Sequence, residues 1–226
     1  ALRTAISPNT CAVMLEPVQG EGGVNVPPAG YLQAVREVCD ENGLLLVFDE
    51  VQVGCGRTGE LFAYQRDGVE PDIMTLAKAL GGGPPIGAMI AREKICESFG
   101  PGTHGSTFGG NPLMASAAVA AMKVLINDGI LENCREMGRY LQVRLEELRD
   151  RYSFVSQVRG RGLILGMELT IEGGDIVKKA LSRGLVINCT VGKVLRFLPP
   201  LTVNREEIDE AISILDGILS EQTKSS

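Results

Sequence analysis

The first half of the sequence alternates short apolar runs with helix-length segments, a rhythm that few folds accommodate. Runs at 11–16 (CAVMLE), 44–48 (LLLVF), 72–77 (DIMTLA) and 86–91 (IGAMIA) are strand-length and largely apolar, as strands covered on both faces are. Between the first two, Tyr31, Leu32, Val35, Val38 and Cys39 fall at helical spacing after Pro27-Pro28. Gly43 then stands where a helix ends in the left-handed region. A short helix around 61–68 separates the second and third runs, and residues 81–85 (GGGPP) form a sharp connector before the fourth. The pattern predicts an α/β layer, a mostly parallel sheet with crossover helices.

The second half has a different pattern. Asn111 and Pro112 pair a cap with a first-turn proline, and the Ala-, Met-, Val- and Leu-rich run after them predicts a mostly buried helix to about Asn127. Asp128-Gly129 marks the expected boundary between a domain at 1–128 and a smaller α+β domain at 129–226. The second is expected to hold a helix at 130–151, strands at 154–160 and 163–169, a helix near 174–183, and strands at 185–188 and 194–198. The last helix is capped by Asn204 with Glu207 three residues on, and Ile208, Ala211, Ile212, Leu215, Ile218 and Leu219 share one face.

Composition narrows the function classes. With 226 residues, 44% of them hydrophobic, the chain can bury a core. Twenty-eight acidic residues against 22 basic ones give a net charge of -6, with no Lys/Arg block, which argues against a nucleic-acid or anionic-membrane surface. No apolar run approaches the roughly 20 residues of a spanning helix, and the first ten residues lack a signal peptide's apolar core; the expectation is a cytoplasmic protein. Six cysteines without a C-x-x-C pair read as small hydrophobes in a reducing compartment, with neither disulfides nor a metal site. A single histidine, His104, excludes chemistry that needs two imidazoles.

The candidates for chemistry stand at strand ends, where open α/β sheets gather ligands. Asp49 and Glu50 follow the second strand; by itself an acid there is more often a cap or a solvated loop charge. Lys78 follows the third strand among Ala77, Ala79 and Leu80, surroundings that would desolvate its amine and suit it to Schiff-base chemistry; otherwise the amine simply reaches to water. A carboxylate and an amine at successive strand ends together suit pyridoxal phosphate: one for its ring nitrogen, one for its aldehyde. Ser106, Thr107, Gly109, Gly110 and the helix start at Asn111 suit a phosphate; the alternative, a Gly-rich turn into a helix cap, is common. Arg196 interrupts an apolar strand and needs a carboxylate, either a substrate's or the protein's own, with Glu21 the internal candidate. RGRG at 159–162 reads as a turn with solvated arginines, and GCGRTG at 54–59 is a weak glycine pattern.

EPVQGEGG, FDEVQVGCGRTG, TLAKALGGG, HGSTFGGNP and VLRFLPPL, in that order over 16–201, resemble the class III (ornithine-type) pyridoxal-phosphate aminotransferases, fold type I. The wording of AKALGGGPPIGAMIA and VINCTVGKVLRFLPPL is nearest the acetylornithine-type members of the class, which serve arginine biosynthesis. The resemblance implies that Lys78 carries the Schiff base, Asp49 pairs with the ring nitrogen, Gln52 bonds the ring hydroxyl and Val51 packs on the ring. It implies further that Thr107 reaches the phosphate of the other subunit's cofactor, Ser106 lies at the substrate, and Arg196 binds a substrate carboxylate with Glu21 as its switchable partner. A homodimer with shared sites follows, and N2-acetylornithine as amino donor to 2-oxoglutarate. Ornithine, 4-aminobutyrate and succinyldiaminopimelate aminotransferases are the alternatives within the class, and a catalytically silent partner the alternative outside it. The family's Gly-Thr phosphate cup and ring-stacking aromatic have no counterpart in this sequence, so the chain by itself is expected to bind the cofactor poorly and to expose apolar sheet surface.

Overall fold

The structure, a computed structural model, describes residues 1–223. The chain divides into two compact units. The first takes residues 1–17, 27–55 and 60–128; the second takes 18–26, 56–59 and the described residues from Gly129 on.

In the first unit the chain order is α1 (Leu2–Ala5), β1 (Ala12–Leu15), α2 (Tyr31–Asn42), β2 (Leu45–Asp49), β3 (Ile73–Leu76), β4 (Ala88–Ala91), α3 (Glu93–Cys96) and α4 (Pro112–Asn127). The strands form one sheet in the order β1-β2-β3-β4. β1 and β2 pair in parallel, as do β2 and β3, but β4 turns back antiparallel to β3. The sheet is mostly parallel, as the sequence rhythm predicts; β4 is the antiparallel member because the segment 77–87 holds only a 3-10 turn, Lys78–Gly81, and a parallel return would need a full crossover.

α2 buries Leu32, Val35, Val38 and Cys39, the positions its spacing selected, and ends at Gly43 with φ 63°. Leu32, Val35 and Cys39 join Leu44, Leu46, Phe48 and Val69 in the unit's core. Asn111 caps α4 by accepting hydrogen bonds from the backbone N–H of Leu113 and Met114 at 3.0 and 3.4 Å. α4 is not mostly buried: only Ala118 and Leu125 are, and Leu113, Val119, Val124 and Ile126 are exposed. A helix apolar all round needs cover on every side, and the described residues cover one. Apolar sheet residues Met14, Met89 and Ile90 are exposed as well.

The second unit comprises α5 (Ile130–Arg151), β5 (Val155–Arg161), β6 (Ile164–Leu169), α6 (Gly174–Ser182), β7 (Asn188–Thr190), β8 (Val194–Phe197) and α7 (Arg205–Thr223), with an antiparallel sheet in the order β5-β6-β8-β7. Leu141, Leu145 and Leu148 of α5 pack with Met167 and Leu169 of β6 and Ile212 and Leu215 of α7. The reciprocal cap of α7 is present: Asn204 Oδ1 accepts from Glu207 N–H, and Glu207 Oε2 from Asn204 N–H, each at 2.9 Å. β7 lies at 188–190 rather than at the expected 185–188. Val191 and Gly192, both at positive φ, make the turn into β8, and that turn fixes which residues can pair. Arg159–Arg161 belong to β5 and are not a solvated turn. Of the cysteines, Cys39, Cys55 and Cys134 are buried, as their apolar settings suggested, whereas Cys11 and Cys96 are exposed. Among the described residues no single helix is long and apolar enough to cross a membrane.

Where α5 passes the β5–β6 turn, the backbones approach so closely that a Cβ on Gly138 would come within 2.4 Å of the Gly162 carbonyl oxygen. Replacing a helical glycine by alanine gains up to about 1 kcal/mol of helix propensity, but overpacking costs about 1–3 kcal/mol. Gly138→Ala is therefore expected to lower stability by about 1–2 kcal/mol in urea unfolding; an unchanged or raised midpoint would show that the backbones separate freely.

Candidate active site

Parallel pairing carries β2 and β3 in the same direction and sets Asp49 opposite Thr75. Asp49 Oδ1 accepts from the Val51 N–H at 2.9 Å and from Thr75 Oγ1 at 3.4 Å, which fixes the carboxylate at the strand end. Asp49 is half-buried, and among the described residues its Oδ2 takes no hydrogen bond. Val51 and Gln52, also half-buried, follow in the turn.

The neighbouring acid is employed differently. Glu50 is 1% exposed and each of its oxygens accepts one backbone N–H, from Ala63 at 2.7 Å and Tyr64 at 2.9 Å, so it caps the 3-10 turn Ala63–Arg66. Burial pushes its carboxyl up to about 7; the charge of Asp49 adds to the rise, and the two N–H bonds oppose it. Of the two acids at this strand end, Asp49 alone is available to a ligand.

Lys78 begins the 3-10 turn immediately after β3 and Ala77, with φ 44°. A left-handed conformation at a non-glycine residue costs about 1–3 kcal/mol and persists where its surroundings over-determine it, typically at functional sites. The expected desolvation by its neighbours is not found: Leu80 is buried, but Lys78 and Ala79 are exposed, because the strand's in-and-out alternation ends where the turn begins. Lys78 instead lines a cleft of about 1000 Å³ with Pro84, Ile86, Ser106, Phe108 and Asn111. The cleft brings together Lys78 and Ser106; Asp49, Val51, Gln52 and Thr107 are not among its lining, and Thr107 is exposed in the same loop as Ser106.

In the second unit Arg196, on β8, is 6% exposed, and its Nη1 lies 2.7 Å from Glu21 Oε1. Its Nε donates to Asn188 Oδ1 at 3.2 Å. A buried guanidinium is thus met by a carboxylate of the chain itself, one whose side chain is 72% exposed. Sequence reasoning missed Asn188 and Arg159; their place beside Arg196 depends on strand register, which composition does not reveal. Arg159, expected in solvent, is largely covered and donates to the Gly23 and Val24 carbonyls.

A family model described as aminotransferase class-III matches residues 1–219. An acetylornithine aminotransferase of Methanocaldococcus jannaschii is 53% identical over 99% of this chain and 56% of its own length. Among solved structures, N-acetylornithine aminotransferase from Stenotrophomonas maltophilia superposes with TM-score 0.90 at 40% identity, covering 100% of this chain and 60% of that one. Ornithine aminotransferase from Toxoplasma gondii, with PLP at partial occupancy in its active site, gives 0.91 at 39% identity, covering 97% and 53%. The chain spans about half the length of the curated relatives it matches.

The Glu50 carboxyl ionises near 4.5 when unfolded and near 7 when folded, so between those values the folded chain holds the extra proton. Its contribution to stability is present in full below about 4.5 and is lost as pH rises through about 7. Glu50→Gln does not titrate and turns an amide N–H towards a backbone N–H, which costs about 1–3 kcal/mol. In urea unfolding the gap between the two proteins should be widest near pH 4.5 and narrow towards neutrality; a gap independent of pH would mean that Glu50 is ionised throughout.

Proposed function

The chain belongs to the class III aminotransferases, and on that premise we propose that it carries the reactive lysine and the substrate-carboxylate site of a pyridoxal-phosphate-dependent aminotransferase that moves the side-chain amine of N2-acetylornithine to 2-oxoglutarate. The observation that carries this reading is Lys78, held in a strained left-handed conformation at a strand end and lining a cleft with Ser106. The match in name and identity to acetylornithine aminotransferases supports the donor.

The residues fit the cofactor. Asp49 presents a fixed carboxylate with one oxygen that takes no hydrogen bond among the described residues, suited to a protonated ring nitrogen, and Lys78 presents a primary amine at the cleft. Gln52 would serve the ring hydroxyl, Val51 the ring face and Thr107 the phosphate. When bound, pyridoxal phosphate supplies the electron sink that lets a proton leave the amine-bearing carbon.

The remaining work falls to the chain's own groups. Asp49 would hold a bound ring nitrogen protonated by placing a negative charge beside it. Lys78 Nζ, a primary amine at the cleft, would take the proton from the amine-bearing carbon and return it. Arg196 grips a substrate carboxylate through charge-assisted hydrogen bonds. Two substrates with different carboxylate arrangements must share one site, and Glu21 resolves the conflict by covering Arg196 for the side-chain amine donor and leaving it for the dicarboxylate acceptor. The exposed loop at Ser106–Phe108 and the uncovered face of α4 support a homodimer in which Thr107 serves the partner's cofactor.

Reduction with borohydride after mixing with pyridoxal phosphate should add the cofactor's mass at Lys78, and Lys78→Ala should abolish it. No label, or label spread over surface lysines, would mean that this chain does not build the cofactor site by itself, and label confined to a lysine other than Lys78 would sink the assignment. Production of glutamate from 2-oxoglutarate with acetylornithine, ornithine and 4-aminobutyrate then separates the donors, and acetylornithine should give the highest kcat/KM.

A further inference from the structure

Arg159, Gly166, Arg196 and Asn188 lie directly opposite one another across β5, β6, β8 and β7. Opposed residues of antiparallel strands share a face, so the two arginines project from one side of the sheet, two strand spacings or about 10 Å apart. Gly166 leaves a notch between them, and Val24 fills it: a Cβ on Gly166 would meet Val24 Cβ at 3.0 Å. Val24 is wholly buried with φ 52°, a conformation that a β-branched residue holds only under restraint.

Arg159 supplies that restraint. Its Nε donates to the Gly23 and Val24 carbonyls at 3.1 Å each, and its Nη2 to Gly23 O at 2.7 Å. Its Nη1 donates to Gln157 Oε1 at 2.9 Å and pairs with Glu168. Glu168 thereby offsets the charge of Arg159, and Glu21 is left to Arg196. The loop is also closed on itself: Gln19 and Asn25 exchange backbone hydrogen bonds at 3.0 and 3.1 Å, and Asn25 Nδ2 donates to Gly22 O at 2.9 Å. The backbone either side of Glu21 is therefore tied down, while the Glu21 side chain stays exposed.

We propose that Arg159 is a positioning residue for the Glu21 gate: its guanidinium fork holds the Gly23–Val24 backbone on the sheet so that Glu21 reaches Arg196 by side-chain rotation alone. The inference rests on the reading of Glu21 as a gate. Lysine at 159 keeps the charge but cannot hold two carbonyls and two acceptors with one planar fork. The loop then loosens, Glu21 covers Arg196 less of the time, and Arg196 becomes more available to an added carboxylate.

The test follows the Arg196 Nε–Hε resonance by NMR while the chain is titrated with glutarate at constant ionic strength. Glu21→Gln should tighten glutarate binding by about tenfold and Arg159→Lys by about threefold, and the double variant should bind no more tightly than Glu21→Gln alone, as two groups acting through one contact do. A merely structural loss at Arg159 would weaken binding instead. Gly166→Ala, whose Cβ would crowd Val24 at 3.0 Å and Val194 at 3.1 Å while leaving the Arg159 guanidinium in place, should shift binding in the same direction and serves if Arg159→Lys does not fold. Unchanged or weakened binding in both Arg159→Lys and Gly166→Ala, or full additivity in the double variant, would overturn the positioning role with the gate intact. No change in Glu21→Gln would overturn the gate itself and this inference with it.

Discussion

Parallel strands can be joined only by crossovers, and crossovers return every strand to the same starting edge, so their far ends collect on one side of the sheet. In the first unit that constraint governs β1 to β3 and decides where reactive side chains can meet. Asp49 closes β2 opposite Thr75, and Lys78 begins the turn just after β3. β4 departs from the rule and runs back along β3, so the connector that carries the lysine is tight, rich in glycine and proline, and opens onto the cleft.

Much of this was legible in the sequence because local signals and tertiary demands agree. The spacing of Leu32, Val35 and Cys39, the Asn111 and Asn204 caps, and the strand ends at Asp49 and Lys78 each depend on residues near one another in the chain. What was not legible depends on register. A register shift between Val155 and Gln157 alters the pairing of β5 with β6, and the alternation read from FVSQVRG cannot tell which way Arg159 faces after it. The position of β7 was missed for a related reason, since Leu185, Val186 and Ile187 favour a strand intrinsically while the turn at Val191–Gly192 selects Asn188–Thr190.

Adjacent carboxylates at one strand end show how little residue type alone says about role. Asp49 and Glu50 differ by a methylene and one step of alternation. Among the described residues the half-buried Asp49 pair leaves one oxygen without a hydrogen bond, and the Glu50 pair is spent wholly on backbone N–H groups of a neighbouring turn. The apolar character of the strand made both plausible; hydrogen-bond satisfaction separates them.

The second unit is not a contiguous stretch of chain. Residues 18–26 and 56–59 are laid into it from far upstream, through contacts such as Arg159 with Gly23 and Arg57 Nη1 with the carbonyls of Leu163 and Pro199. A chain cut before Gly129 would therefore separate a helix-and-sheet body from Glu21 and from a half-buried arginine, Arg57, that ties its turns together. During synthesis the two early straps emerge long before the strands that receive them, so completing this unit waits on loop closures of more than a hundred residues, the kind of non-local pairing that slows folding. Evolutionary exchange of this unit as a module would have to carry three pieces of sequence at once.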